Sequence, residues 1–191
     1  QSNPMATTRI LFLLFCLTCL GLCDAHASDF RIDSTRACVV KSATSLLYVK
    51  EKTNRNDNEK ISEMFTQIGY PYLVKAKWTS RMWCIAFVSY CFKTCNVPNP
   101  IQGPAAVISW KGAKKLHISN TAKVQPADVA IYTWGSHGGL VTEAHPNPKF
   151  PFVQTIEGNT SAPKESGSTK QGVWLKTRMK REIRYFVRII T

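Results

Sequence analysis

The periodicity of the chain changes once, near Lys123, and this change limits the fold more than any other feature. Upstream, apolar residues recur at helical spacing: Ile61, Met64, Phe65 and Ile68 in one segment, Ile85, Val88 and Phe92 in another. Residues 50–60, polar and without an apolar face, lead into the first segment as a surface loop, and Gly69 with Tyr70-Pro71-Tyr72 ends it. The second is expected over 83–94 with Ser80 as its N-cap, and a shorter third helix over 104–115. Downstream the pattern is of short strands at 129–132, 140–142, 153–156, 173–176 and 185–190. Turn-rich text separates them at Gly135-Ser136, Pro146-Asn147-Pro148, Ser161-Ala162-Pro163 and Gly172. Helices first and strands later, joined by short links, predict an α+β fold with helices packed on an antiparallel sheet.

The 191 residues suit one domain, and 44% apolar content with 10% aromatics excludes a disordered polycation. Lys and Arg outnumber Asp and Glu by 25 to 12, a net charge of +13 that implies an anionic partner. The basic residues are dispersed, with only a loose cluster at Lys176, Arg178, Lys180, Arg181 and Arg184, so nucleic acid is not the expected partner.

The first segment reads as a secretory signal. Gln1-Ser2-Asn3-Pro4 ahead of Met5 is set aside as a leader remnant. Arg9 then precedes the apolar run Ile10 to Leu17, which fades into Ala25-His26-Ala27, an A-x-A exit with cleavage expected after Ala27. The run is too short for a membrane anchor, which needs about 20 apolar residues. Residues 28–191 are therefore expected as a single extracellular domain. Cys16, Cys19 and Cys23 leave with residues 1–27, and Cys38, Cys84, Cys91 and Cys95 remain. In an oxidising compartment these form two disulfides in any of three connectivities, or one bridge with a thiol left for chemistry.

Cys84 stands apart because it falls in the first turn of the expected helix, where free N–H groups and the helix dipole favour an anion and hence a thiolate. The plainer alternative is a buried or bridged cysteine. Of the histidines, His117 neighbours Lys114-Lys115 and reads as exposed, and His145 lies in a turn before Pro146. His137 lies at a strand start beside Gly138 and Gly139, an accessible platform for an imidazole. Glu157 and Asn159 share one strand face at i and i+2, so both are expected to point toward His137 across a hairpin. A carboxylate on the imidazole N–H would fix its tautomer and favour the charged ring.

These segments carry a resemblance. Trp83-Cys84-Ile85-Ala86-Phe87-Val88-Ser89 resembles the W-C-A-x-F-V-S nucleophile motif of CHAP-type cysteine peptidoglycan hydrolases, within the papain-like NlpC/P60 superfamily. Pro126-Ala127-Asp128-Val129-Ala130 resembles the family's P-G-D-I-V segment, and His137-Gly138-Gly139-Leu140-Val141 its H-V-G-I-V strand. Thr155-Ile156-Glu157-Gly158-Asn159-Thr160-Ser161 is similar to its T-I-E-G-N-T-S segment, and Gly172-Val173-Trp174 with Arg178 to the following strand. The likeness spans about 83–188. Ala127 and Gly138 depart from the usual Gly and apolar residue, and residues 28–75 match no part of the motif set. Size, signal and charge also resemble the amidase effectors of bacterial type VI secretion and their domesticated relatives in ticks and mites.

The resemblance implies a papain-like fold, Cys84 as nucleophile, His137 as base and acid, Glu157 as the residue orienting His137, and Asn159 assisting. It implies the Cys84 N–H as an oxyanion donor and Trp83 and Trp134 as walls of a cleft. The implied substrate is bacterial peptidoglycan, cut at an amide of the stem peptide or, by preference, the D-Ala cross-link, by a monomer needing no cofactor. No metal is expected, since Cys91-x3-Cys95 is not a zinc spacing. With Cys84 reserved for chemistry and Cys91 and Cys95 one helical turn apart, Cys38 is expected to bridge Cys95 in preference to Cys91. Asn159-Thr160-Ser161 is a glycosylation sequon at the expected site and is predicted to carry no glycan. The competing expectation is a non-catalytic, basic, disulfide-stabilised module that binds anionic microbial surfaces.

Overall fold

The computed structural model describes residues 31–145, 147 and 149–191. The expected signal segment 1–27 lies outside the described residues. The chain divides into two units, Gln1–Ser34 and Thr35–Thr191. Of the first, only residues 31–34 are described, all of them helical.

The second unit is a mixed helix and antiparallel-sheet fold. Its helices are α1 (residues 35–45), α2 (Glu59–Gln67), α3 (Cys84–Thr94) and α4 (Val107–Gly112). Strands β1 (Val129–Tyr132), β2 (Gly138–Ala144), β3 (Phe152–Ser161), β4 (Gln171–Met179) and β5 (Ile183–Val187) form one sheet in the order β4-β3-β2-β1-β5. Every pairing is antiparallel.

Local chemistry sets the element ends. Asn58 caps α2, its side chain accepting from the Lys60 N–H at 2.8 Å, so the helix begins inside the stretch read as loop. The rest of that stretch is anchored: Lys50 bridges Gly172 at the edge of β4. Ser80 does not cap α3. It closes a separate 3-10 turn, Trp78–Ser80, and Trp83 takes the N-cap position with no side-chain hydrogen bond. The third helix is shorter than expected because Ala113, at ψ 52°, leaves helical geometry before a 3-10 turn at Lys114–Leu116. The last strand ends at Val187, since the Arg188 N–H turns to the Leu116 carbonyl.

Both faces of the central strands are covered, and β1 is buried throughout. Toward α3 the packing is so close that a Cβ at Gly158 would lie 2.8 Å from Phe87 Cβ, and one at Gly138 2.8 Å from Ile85 Cδ1. The opposite face holds Val124, Ala130, Tyr132, Val141, Val153 and Phe186. The buried Asp128 joins distant parts of the chain, accepting from Arg36 of α1 at 3.2 Å and from Arg188 Nη2 at 2.7 Å. Cys38 and Cys95 form a disulfide with a Cα separation of 6.0 Å, tying α1 to the end of α3, while Cys84 and Cys91 are free. Cys91 is sealed in the core, and burial pushes its thiol up to about 12 despite a hydrogen bond with Ser42.

Candidate active site

Three elements converge on one carboxylate. Glu157, on β3, is fully buried. Its Oε1 accepts from Tyr132 Oη at 2.6 Å, Thr155 Oγ1 at 2.8 Å and Arg178 Nε at 2.8 Å. Its Oε2 accepts from Arg178 Nη2 at 2.7 Å and from His137 Nε2 at 2.9 Å. Strand pairing explains the cluster: β3 lies between β2 and β4, so one residue reaches His137, immediately before β2, on one side and Arg178 of β4 on the other. Gly139 makes room, since a Cβ there would stand 2.6 Å from Glu157 Cγ.

The electrostatics follow from that hub. Burial raises the Glu157 carboxyl, but the Arg178 fork and His137 overcome it and hold the group well below the usual carboxylate range. Burial lowers His137, and hydrogen bonds with Cys84 and Glu157 and the charges of both outweigh it, raising the imidazole to about 9. Burial and the Glu157 charge raise Tyr132 well above its ordinary value, so its hydroxyl stays a donor. Arg178, held first by its hydrogen bonds to Glu157, is raised further into the charged form.

With Nε2 committed to Glu157, Nδ1 of His137 is the nitrogen left for Cys84. Cys84 is the first residue of α3, whose opening N–H groups have no acceptor within the helix and no side-chain cap. Its thiol is 2% exposed at residue level and also lies 3.8 Å from the Ser136 carbonyl. A thiol, an imidazole held near the charged state and an anchored carboxylate form a relay suited to nucleophilic attack and proton return.

Cys84, His137 and Glu157 are thus brought together. Trp134 stands beside them, its ring 5.4 Å from His137 and 43% exposed, with the Arg178 guanidinium 5.3 Å from its ring. Trp83 is not a cleft wall: it is fully buried, with Nε1 donating to Glu51 at 2.9 Å. Asn159 does not share the Glu157 face. A register shift between Glu157 and Thr160 breaks the alternation, Asn159 adopts φ 53°, and its amide donates to Met82 Sδ at 3.7 Å. His117 is half-buried rather than exposed, stacked 4.3 Å from Tyr185.

Tyr132, Thr155 and Glu51 have no role expected from the sequence, and Arg178 appears there only in the loose basic cluster and in the likeness to a strand. Thr155 was accessible there, as the i−2 neighbour of Glu157 on the same face. Tyr132 sat in an apolar strand pattern that said nothing of its hydroxyl. Among the described residues no group of three or more His, Cys, Asp or Glu could hold a metal ion, and no helix is long and apolar enough to cross a membrane. No family model, curated protein or solved structure matches the chain.

Proposed function

We propose that this chain is a secreted antibacterial cysteine amidase or endopeptidase, papain-like and of the NlpC/P60-CHAP kind. It hydrolyses amide bonds in peptidoglycan stem peptides or cross-links, with the D-Ala cross-link favoured, and acts as a monomer without a cofactor. One observation carries this reading: Cys84 opens an uncapped helix close enough to His137 to help raise its imidazole, and the Nε2 of that ring is fixed on the buried Glu157.

The Cys84 thiolate attacks the amide carbonyl carbon, and the carbonyl electron pair moves onto oxygen, which the Cys84 N–H stabilises. As the C–N bond breaks, His137 gives its Nδ1 proton to the leaving amine, and a thioester remains on Cys84. His137 then takes a proton from water, hydroxide attacks the thioester carbon, and the Cys84 thiolate leaves beside a recharged imidazolium. Glu157 keeps the ring oriented throughout. The +13 charge supports encounter with a polyanionic wall.

The test is digestion of purified sacculi by the native protein and by Cys84→Ala, with mass spectrometry of the released fragments. New amino and carboxyl termini made by the native protein alone identify the bond, with Cys84→Ala still bound to the sacculi. Equal release by both refutes cysteine catalysis, and binding without cleavage by either favours the basic wall-binding module.

A further inference from the structure

The residue before the nucleophile is held by a carboxylate from a distant loop. Glu51 is 1% exposed and pinned to the edge of β4, its N–H donating to the Gln171 carbonyl at 2.8 Å. Both side-chain oxygens are occupied: Oε1 accepts from Trp83 Nε1 at 2.9 Å, and Oε2 from the Asn56 N–H at 2.8 Å. Asn56 takes a left-handed φ of 59°, and its side chain donates to the Trp78 carbonyl at 2.6 Å. Glu51 and Asn56 therefore secure both ends of the segment 78–83 that enters α3.

The other side of the Trp83 indole is closed as tightly. A Cβ on Gly158 would lie 2.7 Å from Cζ3 and 2.9 Å from Cε3 of that ring. The indole is wedged between Glu51 at its edge and the backbone of β3 at its face, one residue after Glu157. Trp83 is also the N-cap of α3, a position with no side-chain cap, so the placement of its ring is the placement of the Cys84 backbone to within one peptide.

We propose that Glu51 is a positioning residue for Cys84: through the Trp83 indole it sets how the first turn of α3 presents the thiol to His137. The inference rests on Cys84 being the nucleophile, and not on the identity of the substrate.

Two variants of the full chain test it. Glu51→Gln sets an amide N–H against one of the two donors, and Trp83→Phe removes the indole donor and part of the ring while keeping an aromatic side chain. Peptide mapping follows iodoacetamide alkylation of Cys84 between pH 5 and 9, alongside kcat and KM on muropeptides. Both variants should displace the alkylation profile from the native one and lower kcat by about tenfold to hundredfold, the scale of a misplaced reacting group, with KM little changed. The double variant should be no worse than the poorer single one. Native profiles and native kcat in both single variants, or losses that multiply in the double, overturn the proposal. If Glu51→Gln does not fold, Trp83→Phe carries the same comparison. If the native protein cuts no muropeptide while the alkylation profile still moves in the variants, the positioning role stands and the substrate assignment falls.

Discussion

Replacing Arg178 with Met is the sharpest probe of the buried carboxylate hub. The substitution keeps most of the side-chain length and removes two charge-assisted hydrogen bonds, at 2.8 and 2.7 Å, from a carboxylate with no exposure. Breaking a buried ion pair by deleting one partner costs about 3–5 kcal/mol. Tyr132, Thr155 and the charged His137 still donate to Glu157, which sets the expectation at the lower end, about 3 kcal/mol. For a chain of this size that is a fall in Tm of about 6–12 °C at pH 7. Because Glu157 is held below its unfolded value of about 4.3, its contribution is present above that pH and fades as pH falls through the folded value. The gap between native and Arg178→Met should therefore be widest at neutral pH and narrow as the solution is acidified. Differential scanning calorimetry at a series of pH values from 7 to 3 measures both. The double variant Arg178→Met, Glu157→Gln removes the orphaned charge and should recover part of the loss. A Tm within about 2 °C of native at pH 7, below the shift expected for 1 kcal/mol, would refute the hub's energetic role, as would a gap that does not change with pH.

Three further outcomes follow from other parts of the structure. His137, raised from 6.5 to about 9, contributes stability that is complete below 6.5 and is lost as pH rises through 9. Its ring resonances in NMR should titrate near 9, with hydrolysis declining over the same range, and a midpoint at or below 6.5 contradicts this. Gly138→Ala drives a Cβ toward Ile85 Cδ1 and should cost about 1–3 kcal/mol, partly recovered by Ile85→Val, which lacks that atom; strictly additive melting shifts would sink the explanation. Ala127 occupies the third position of the Gln125–Asp128 turn at φ 67°. Relief of left-handed strain, about 1–2 kcal/mol, is offset by the added chain entropy of Gly, about 0.4–1 kcal/mol, and by loss of the buried methyl, about 0.8 kcal/mol, so Ala127→Gly should leave Tm within about 3 °C of native. A larger fall would show that the turn is not strained.

The fold class was legible because its signals are local. The apolar period of α3 and the short apolar runs of β1 to β5, each bounded by turn residues, sit within single segments, and the order of helices and strands needs no long-range information. Cys84, His137 and Glu157 were legible by residue type and position along the chain. Asn159 was misread because a bulge, invisible to simple alternation, turns it off the Glu157 face. Trp83 was misread because its burial depends on Glu51 and Gly158, which lie 32 residues before it and across the sheet. Arg178 and Tyr132 acquire their roles only when register sets β4 and β1 around β3 and β2. Two positions, Gly138 and Ala127, have local explanations as well. A Cβ at Gly138 would crowd Ile85 Cδ1, Ile131 Cδ1 and the Ala130 carbonyl, and Ala127 accepts a conformation that glycine takes more easily.

The central claim is that Cys84 is the nucleophile, served by a His137 anchored on Glu157, and covalent capture tests it most directly. Native protein mixed with muropeptides, quenched in acid within the first turnovers and mapped by mass spectrometry, should carry an acyl adduct on the peptide containing Cys84 and on no other. The adduct should be absent from His137→Ala. Muropeptide cleavage that proceeds equally in Cys84→Ala, with no adduct on the native chain, would contradict it.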